Sequence, residues 1–284
     1  KLVGNCGVNT VIQNMTATGP QCVADQTGAS SSVNGTDISI NRLYVNSESY
    51  IYNGSIMHQQ SMYCDFVTAQ SVTMCYPNYF GVAITSGTSA VIANGERPNA
   101  TIGVVSLLST TAANTGYTYL NGATTFLLNG SEQFKTHFYV LADTTGNNSV
   151  TRLGFLDTAS AADQVDGAYL EQTSNVTGVY IVAKQAKNSV RNTSAMTTLV
   201  ANSWYYGKIT VSPDTSSINY LVFNNTGTVV MNETLTGQTT IPNTPGRQTG
   251  SGIQAYRLTA GTARAIVQVD YIHTEIETPW RLLI

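Results

Sequence analysis

A chain of 284 residues with only 10% charged side chains and a net charge of −3 has a polar but nearly neutral surface. That balance excludes an electrostatic footprint for nucleic acid or for anionic lipid. Plentiful β-branched and aromatic residues exclude a disordered chain, and no apolar run reaches the ~18 residues of a membrane-spanning helix.

The chain begins KLVGNC, without Met and without the charged and apolar regions of a leader. The expectation is a removed leader or an absent upstream part. Residues 1–36 are rich in Gly, Ser, Thr and Asn and show no clear period. All four cysteines (Cys6, Cys22, Cys64 and Cys75) fall within the first 75 residues, at spacings that match no zinc pattern. Two disulfides are expected, and three pairings are open. Cys6–Cys22 with Cys64–Cys75 closes the shorter loops at lower entropic cost. Such bridges place maturation or function outside a reducing cytosol.

Residues 37–57 alternate, with Ile38, Ile40, Leu43, Val45, Tyr50, Tyr52 and Ile56 spaced as in short strands, and Asn53-Gly54 suits a hairpin turn. The cysteines then stop and the character changes. A boundary is expected near residue 80, dividing an N-terminal β-region (1–80), a stem or assembly element, from a larger β-domain (81–284).

Beyond it, strand-like runs are expected at 81–85, 101–107, 123–128, 134–141, 151–156, 167–172, 178–184, 205–211, 217–223, 228–234 and 264–275. A single helical turn within 159–164 is the best helix candidate. In 134–140, Phe134, Thr136, Phe138 and Val140 share one face, while Lys135, His137 and Tyr139 share the other. In 265–271, Ala265, Val267, Val269 and Tyr271 are expected opposite Ile266, Gln268 and Asp270. Short strands with polar turns predict an all-β antiparallel sandwich.

The stretches 97–120, 154–170, 202–227, 241–265 and 269–272 occur in an order that resembles a module of phage tail-fibre and other virion-surface proteins. It spans residues 97–275. The resemblance implies a concanavalin A-like jelly roll and a role in virion attachment or surface architecture; it implies no particular ligand. Residues 1–80 match nothing specific.

Candidate chemistry is sparse. The three histidines, His58, His137 and His273, lack metal-ligand spacing, and no G-x-S-x-G elbow is present. Glu275 and Glu277 would lie about 6.5–7 Å apart on one strand face, within the range of paired glycosidase carboxylates. Their place beside Pro279, however, reads as a solvated strand end. No catalytic residue is therefore assigned. Asp157, Asp163 and Asp166 could supply oxygens to calcium, or simply serve turns.

Tyrosine, with 16 copies against 7 phenylalanines, offers apolar faces and hydroxyls for sugars. Tyr169, Glu171 and Tyr180 are expected on one outer face as a carbohydrate groove, with Trp204 as a core anchor. Ten Asn-X-Ser/Thr sequons begin at Asn14, Asn34, Asn53, Asn99, Asn129, Asn147, Asn175, Asn192, Asn224 and Asn232.

The expected function is a tail-fibre, head-fibre or decoration protein at a virion surface or in the extracellular space. Its partners would be copies of itself (a homotrimer if a fibre), other virion proteins and host glycans. A secreted, glycosylated adhesin or filament subunit is the alternative, and a jelly-roll glycanase the third reading.

Overall fold

The computed structural model describes residues 10–16, 19–24, 49–52, 55–65, 81–85, 104–120, 127–141, 148–158, 160–175, 177–260 and 265–279. The chain divides into two compact units, Lys1–Leu43 with Ile51–Ser55, and Tyr44–Tyr50 with Ile56–Ile284. In the first, β1 (Thr10–Thr16) and β2 (Gly19–Ala24) form an antiparallel pair. The remaining strands, in chain order, are β3 (Ser49–Tyr52), β4 (Ser55–Asp65), β5 (Gly81–Thr85), β6 (Val105–Leu108), β7 (Thr115–Leu120), β8 (Gln133–Val140), β9 (Ser149–Leu156) and β10 (Gly167–Asn175). They continue with β11 (Gly178–Lys187), β12 (Val190–Thr193), β13 (Thr197–Leu199), β14 (Ser203–Val211), β15 (Ser217–Asn224), β16 (Val229–Thr236), β17 (Gly250–Arg257) and β18 (Ile266–Pro279).

The second unit is a sandwich of two antiparallel sheets. Sheet one runs β12-β11-β10-β9-β17-β7-β5, with β13 also on β11. Sheet two contains β16-β15-β14-β8-β18-β4, with β6 also on β18. This is the all-β antiparallel sandwich expected from alternation, and it agrees with the jelly roll that the resemblance implied. The expected boundary near residue 80 falls between β4 and β5, and both strands pair within the second unit.

Alternation explains how the sheets face each other. Leu153, Phe155, Leu170, Ile181 and Ile253 point inward from sheet one and meet Phe134, Phe138, Ile209, Val222 and Val267 of sheet two in one core. Each such side chain, fully removed from water, contributes about 1.5–3 kcal/mol. Phe134 meets Phe155 edge to face at 6.1 Å between ring centroids, a favoured geometry. Tyr220 crosses from sheet two and donates its hydroxyl to the Lys184 carbonyl at 2.9 Å, and full burial raises its pKa. Gly154 sits at φ +145°, where a Cβ would fall 2.5 Å from the Ala168 carbonyl oxygen.

Several expectations are corrected. Strand β7 lies at Thr115–Leu120, while the expected strand at 123–128 falls largely outside the described residues and Leu127 and Leu128 are not in a strand. Among the described residues of the expected helical turn, 160–164, the chain forms bends and irregular structure and no helix. In β18 the alternation breaks: Val269 pairs with Phe138, and the next paired residue is Tyr271, opposite His137. Asp270 is the extra residue of a β-bulge. The phase therefore shifts, and Tyr271 lies on the opposite face from the buried Val269 and Ile272. The side chains of all four cysteines lie outside the described residues, so the disulfide expectation cannot be placed on the fold.

Candidate functional site

The two sheets present very different outer faces. On sheet one, the row Gln254–Arg152–Glu171 runs across β17, β9 and β10 in register. The β9–β10 connection, 157–166, folds back over it. Arg152 anchors this cover: its guanidinium donates to the carbonyls of Ser160 at 3.2 Å, Ala161 at 3.2 Å and Ala162 at 2.9 Å, and to Glu171 at 2.9 Å. Lys184 binds the other Glu171 oxygen at 2.6 Å. Gln164 accepts the backbone N–H groups of Asp157 and Thr158 and donates to Gln254 at 3.1 Å. Gln254 in turn donates to the Thr158 carbonyl. A buried ion pair is tolerable only when its hydrogen-bonding capacity is filled in this way.

The expected groove residues lie inside this arrangement. Tyr169 and Glu171 do share a face, as alternation required, and Tyr180 lies on that side of the neighbouring strand. Tyr169, however, is 0% exposed and packs with Leu156 beneath the loop. Burial, reinforced by the charges of Asp163 and Glu171, keeps its phenol protonated far above the usual range. Its ring offers no stacking surface, because the returning loop occupies that space. Glu171 is consumed by Arg152 and Lys184. Tyr180 is half-buried at the strand end, where its hydroxyl donates to the Thr177 carbonyl at 3.2 Å.

The three aspartates expected around calcium do not converge, and no group of three potential ligands assembles among the described residues. Asp163 faces Arg152 and Lys184 at 3.2 and 3.3 Å. Burial works to raise its pKa, but those two cations outweigh it and hold it below the ordinary value. Asp157 accepts the Asp166 N–H at 2.9 Å, and burial pushes its carboxyl up. Asp166 accepts the Asn188 N–H at 2.8 Å and pairs with Arg247 at 3.2 Å. All three are fastenings of the loop.

The sequons divide similarly. Asn34, Asn53, Asn99 and Asn147 fall outside the described residues, and Asn14 lies on β1. At the β10–β11 turn, Asn175 accepts both the Thr177 N–H (2.9 Å) and hydroxyl (2.6 Å). At the β15–β16 turn, Asn224 does the same with Thr226, at 3.1 and 2.7 Å. Asn192 spends its amide on the Thr236 carbonyl at 3.0 Å, Asn232 accepts from Asn219 at 3.1 Å, and Asn129 is exposed in the turn before β8.

The outer face of sheet two carries no such cover among the described residues, and a row of aromatic side chains crosses it. Across β15, β14, β8 and β18 the registers align Phe223, Tyr206, His137 and Tyr271 in one row. Val229 of β16 extends it. Five strands at the usual ~4.8 Å spacing make the row about 19 Å long. Tyr206 is 39% exposed and lies flat on the His137 ring, with centroids 4.1 Å apart and planes 8° from parallel. Trp204 lies 4.5 Å from His137 and 5.3 Å from Tyr139. The bulge aims Asp270 at the His137 Nδ1, 2.9 Å away, which fixes the imidazole under Tyr206. Trp204 is only 8% exposed yet stands outside the main core, on this face rather than in the sandwich interior where the sequence placed it.

Beside this row run Lys208, Lys135 and His273, again in register. Lys135 pairs with Glu275 at 2.7 Å, and His273 approaches the same carboxylate at 3.4 Å. Burial lowers the His273 pKa against the pull of Glu275. Strand β18 therefore does extend past Glu275, but that carboxylate is held by two bases, and the Glu277 side chain lies outside the described residues.

Sequence reasoning found the outward set Lys135, His137 and Tyr139 but assigned it no role. It missed the assembly with Trp204, Tyr206, Asp270 and Tyr271. The available signal was the aromatic content of β14 next to that of β8; the bulge that brings in Asp270 left none.

Comparison with known proteins places this architecture. The crystal structure of SO2946, a protein of unknown function from Shewanella oneidensis MR-1, superposes with a TM-score of 0.58 at 18% identity, covering 79% of this chain and 90% of that one. The winged bean acidic lectin, complexed with methyl-α-D-galactose, gives 0.52 at 10% identity, over 78% of this chain and 100% of the lectin. The CBM2 module of the evolved Dit of Lactobacillus casei BL23 phage J-1 gives 0.50 at 13% identity, over 78% and 99%. The fold is thus concanavalin A-like, as the motif order implied. No curated protein sequence matches the chain. Residues 100–270 match the model of the SO2946-like C-terminal domain, and the chain belongs to that family.

Proposed function

We propose that this chain is a non-catalytic recognition module that binds glycans through the outer face of sheet two, at the surface of a virion or in the extracellular space. The observation that carries the reading is Tyr206, an exposed ring held flat against His137. A sugar ring has an apolar C–H face that stacks on such a surface, while the phenol can donate to or accept from its hydroxyls. A single exposed ring offers only a small contact area. One copy would therefore bind weakly, and several copies on a homotrimeric fibre or a shell would multiply the effect. The carbohydrate-binding module of a phage protein and the sugar-complexed lectin support the reading as relatives in fold.

The test is a glycan array probed with the purified chain and with Tyr206→Ala. Selective binding by the parent and its loss in the variant support the proposal. Array signals unchanged by Tyr206→Ala, or absent altogether, overturn it.

A second reading, a glycosylated adhesin or filament subunit, draws support from Asn175 and Asn224, whose sequons close on themselves at exposed turns. Intact mass from the native source decides it: a value at the bare 30.3 kDa removes the modification.

A further inference from the structure

We infer that the ligand of this face is an acidic glycan, with a sugar stacked on Tyr206 and its carboxylate on Lys208; the inference rests on the glycan-binding reading above. Charge on the face carries it. Lys135 is neutralised by Glu275 at 2.7 Å, and Asp270 is committed to His137 at 2.9 Å. Lys208 is the neighbour of Lys135 across the strand pair, yet it forms no ion pair or hydrogen bond among the described residues. Among the described residues Lys208 is therefore an unpaired ammonium group beside a second one, that of Lys135.

The placement suits one ligand. Lys208 and Tyr206 are two positions apart on β14 and point to the same side, so their Cα atoms lie about 6.5–7 Å apart. A sugar on the Tyr206 ring puts an exocyclic carboxylate within reach of the flexible lysine stem. Sheet one gives the contrast: its outward cations Arg152 and Lys184 are both met by Glu171 and Asp163. A cation left unmatched beside an exposed aromatic ring is complementary to an anion from outside.

The test uses matched polymers: polygalacturonate, hyaluronate and alginate, each against its methyl ester, which keeps the rings and removes the charge. Affinity electrophoresis of the whole chain is expected to show at least one acid form binding about tenfold more tightly than its ester, as a charge-assisted hydrogen bond contributes. Lys208→Gln should remove that preference, Lys208→Arg should restore it, and added salt should weaken it. Unchanged melting of the Lys208 variants ties the effect to the face. Equal binding of acid and ester, an acid preference that survives Lys208→Gln, or no binding to any acid form overturns the inference. The wider reading survives separately if esters or neutral array glycans bind and Tyr206→Ala abolishes that binding.

Discussion

The two outer faces of this sandwich begin from the same rule and end in opposite states. Both sheets alternate apolar residues inward and polar or aromatic residues outward. On sheet one the chain returns at 157–166 and consumes what points outward, burying Arg152 and Glu171 and leaving Tyr169 without exposed surface. On sheet two Tyr206, His137 and Tyr271 remain a surface row. The difference teaches that outward polarity is not itself a sign of function. Charges that are all paired and hydrogen-bonded hold a loop, whereas an exposed ring with a fixed partner is prepared for something else.

The largest expected effect breaks the covered face. Arg152→Ala leaves Glu171 buried and the carbonyls of 160–162 without their donor, and should cost about 3–5 kcal/mol in urea unfolding. A loss under about 1 kcal/mol would show that the guanidinium contributes little to the cover. Gly154→Ala adds a Cβ 2.5 Å from a backbone oxygen at φ +145°, and should cost about 1–3 kcal/mol. Tyr206→Ala, on the open face, should change stability by only about 0.5 kcal/mol while removing glycan binding. That separation of stability from binding is what distinguishes the faces.

The smallest effect is one of pH. Asp163 is held below its ordinary value, so its contribution is present above the unfolded value and fades as pH falls through the lower folded one. Asp157 has the opposite sign, since its carboxyl is raised by burial. Hydrogen exchange of the 157–166 amides should therefore speed up only below about pH 3.8, the ordinary carboxylate value. Loosening already at pH 5 would point to a different anchor.

Much of the fold was legible because one face of most strands meets water. The alternating burial of β8, β14 and β15 follows from their sequences directly. Strand β17 was not legible: GSGIQAYR is buried at every position, so no period of two appears, and its glycines read as turn. The bulge at Asp270 was equally silent, and it reversed the side expected for Tyr271. For the site, alternation correctly put Tyr169 and Glu171 on one face. It carries no information about a loop that folds back over that face, and the decisive contacts of Arg152 are to backbone carbonyls, which have no sequence signature. The aromatic row failed to appear for a related reason. It runs across strands, and cross-strand neighbours are set by register rather than by spacing along the chain.

The central claim is that recognition belongs to the open face of sheet two. Its most direct test is a titration of the isotope-labelled chain with the best array glycan, followed by NMR. The account predicts shifts at the Trp204 indole, the His137 and Tyr206 rings and the Lys208 ammonium, with Arg152, Tyr169 and Tyr180 unmoved. Shifts concentrated on Arg152, Tyr180 and the 157–166 loop would contradict it.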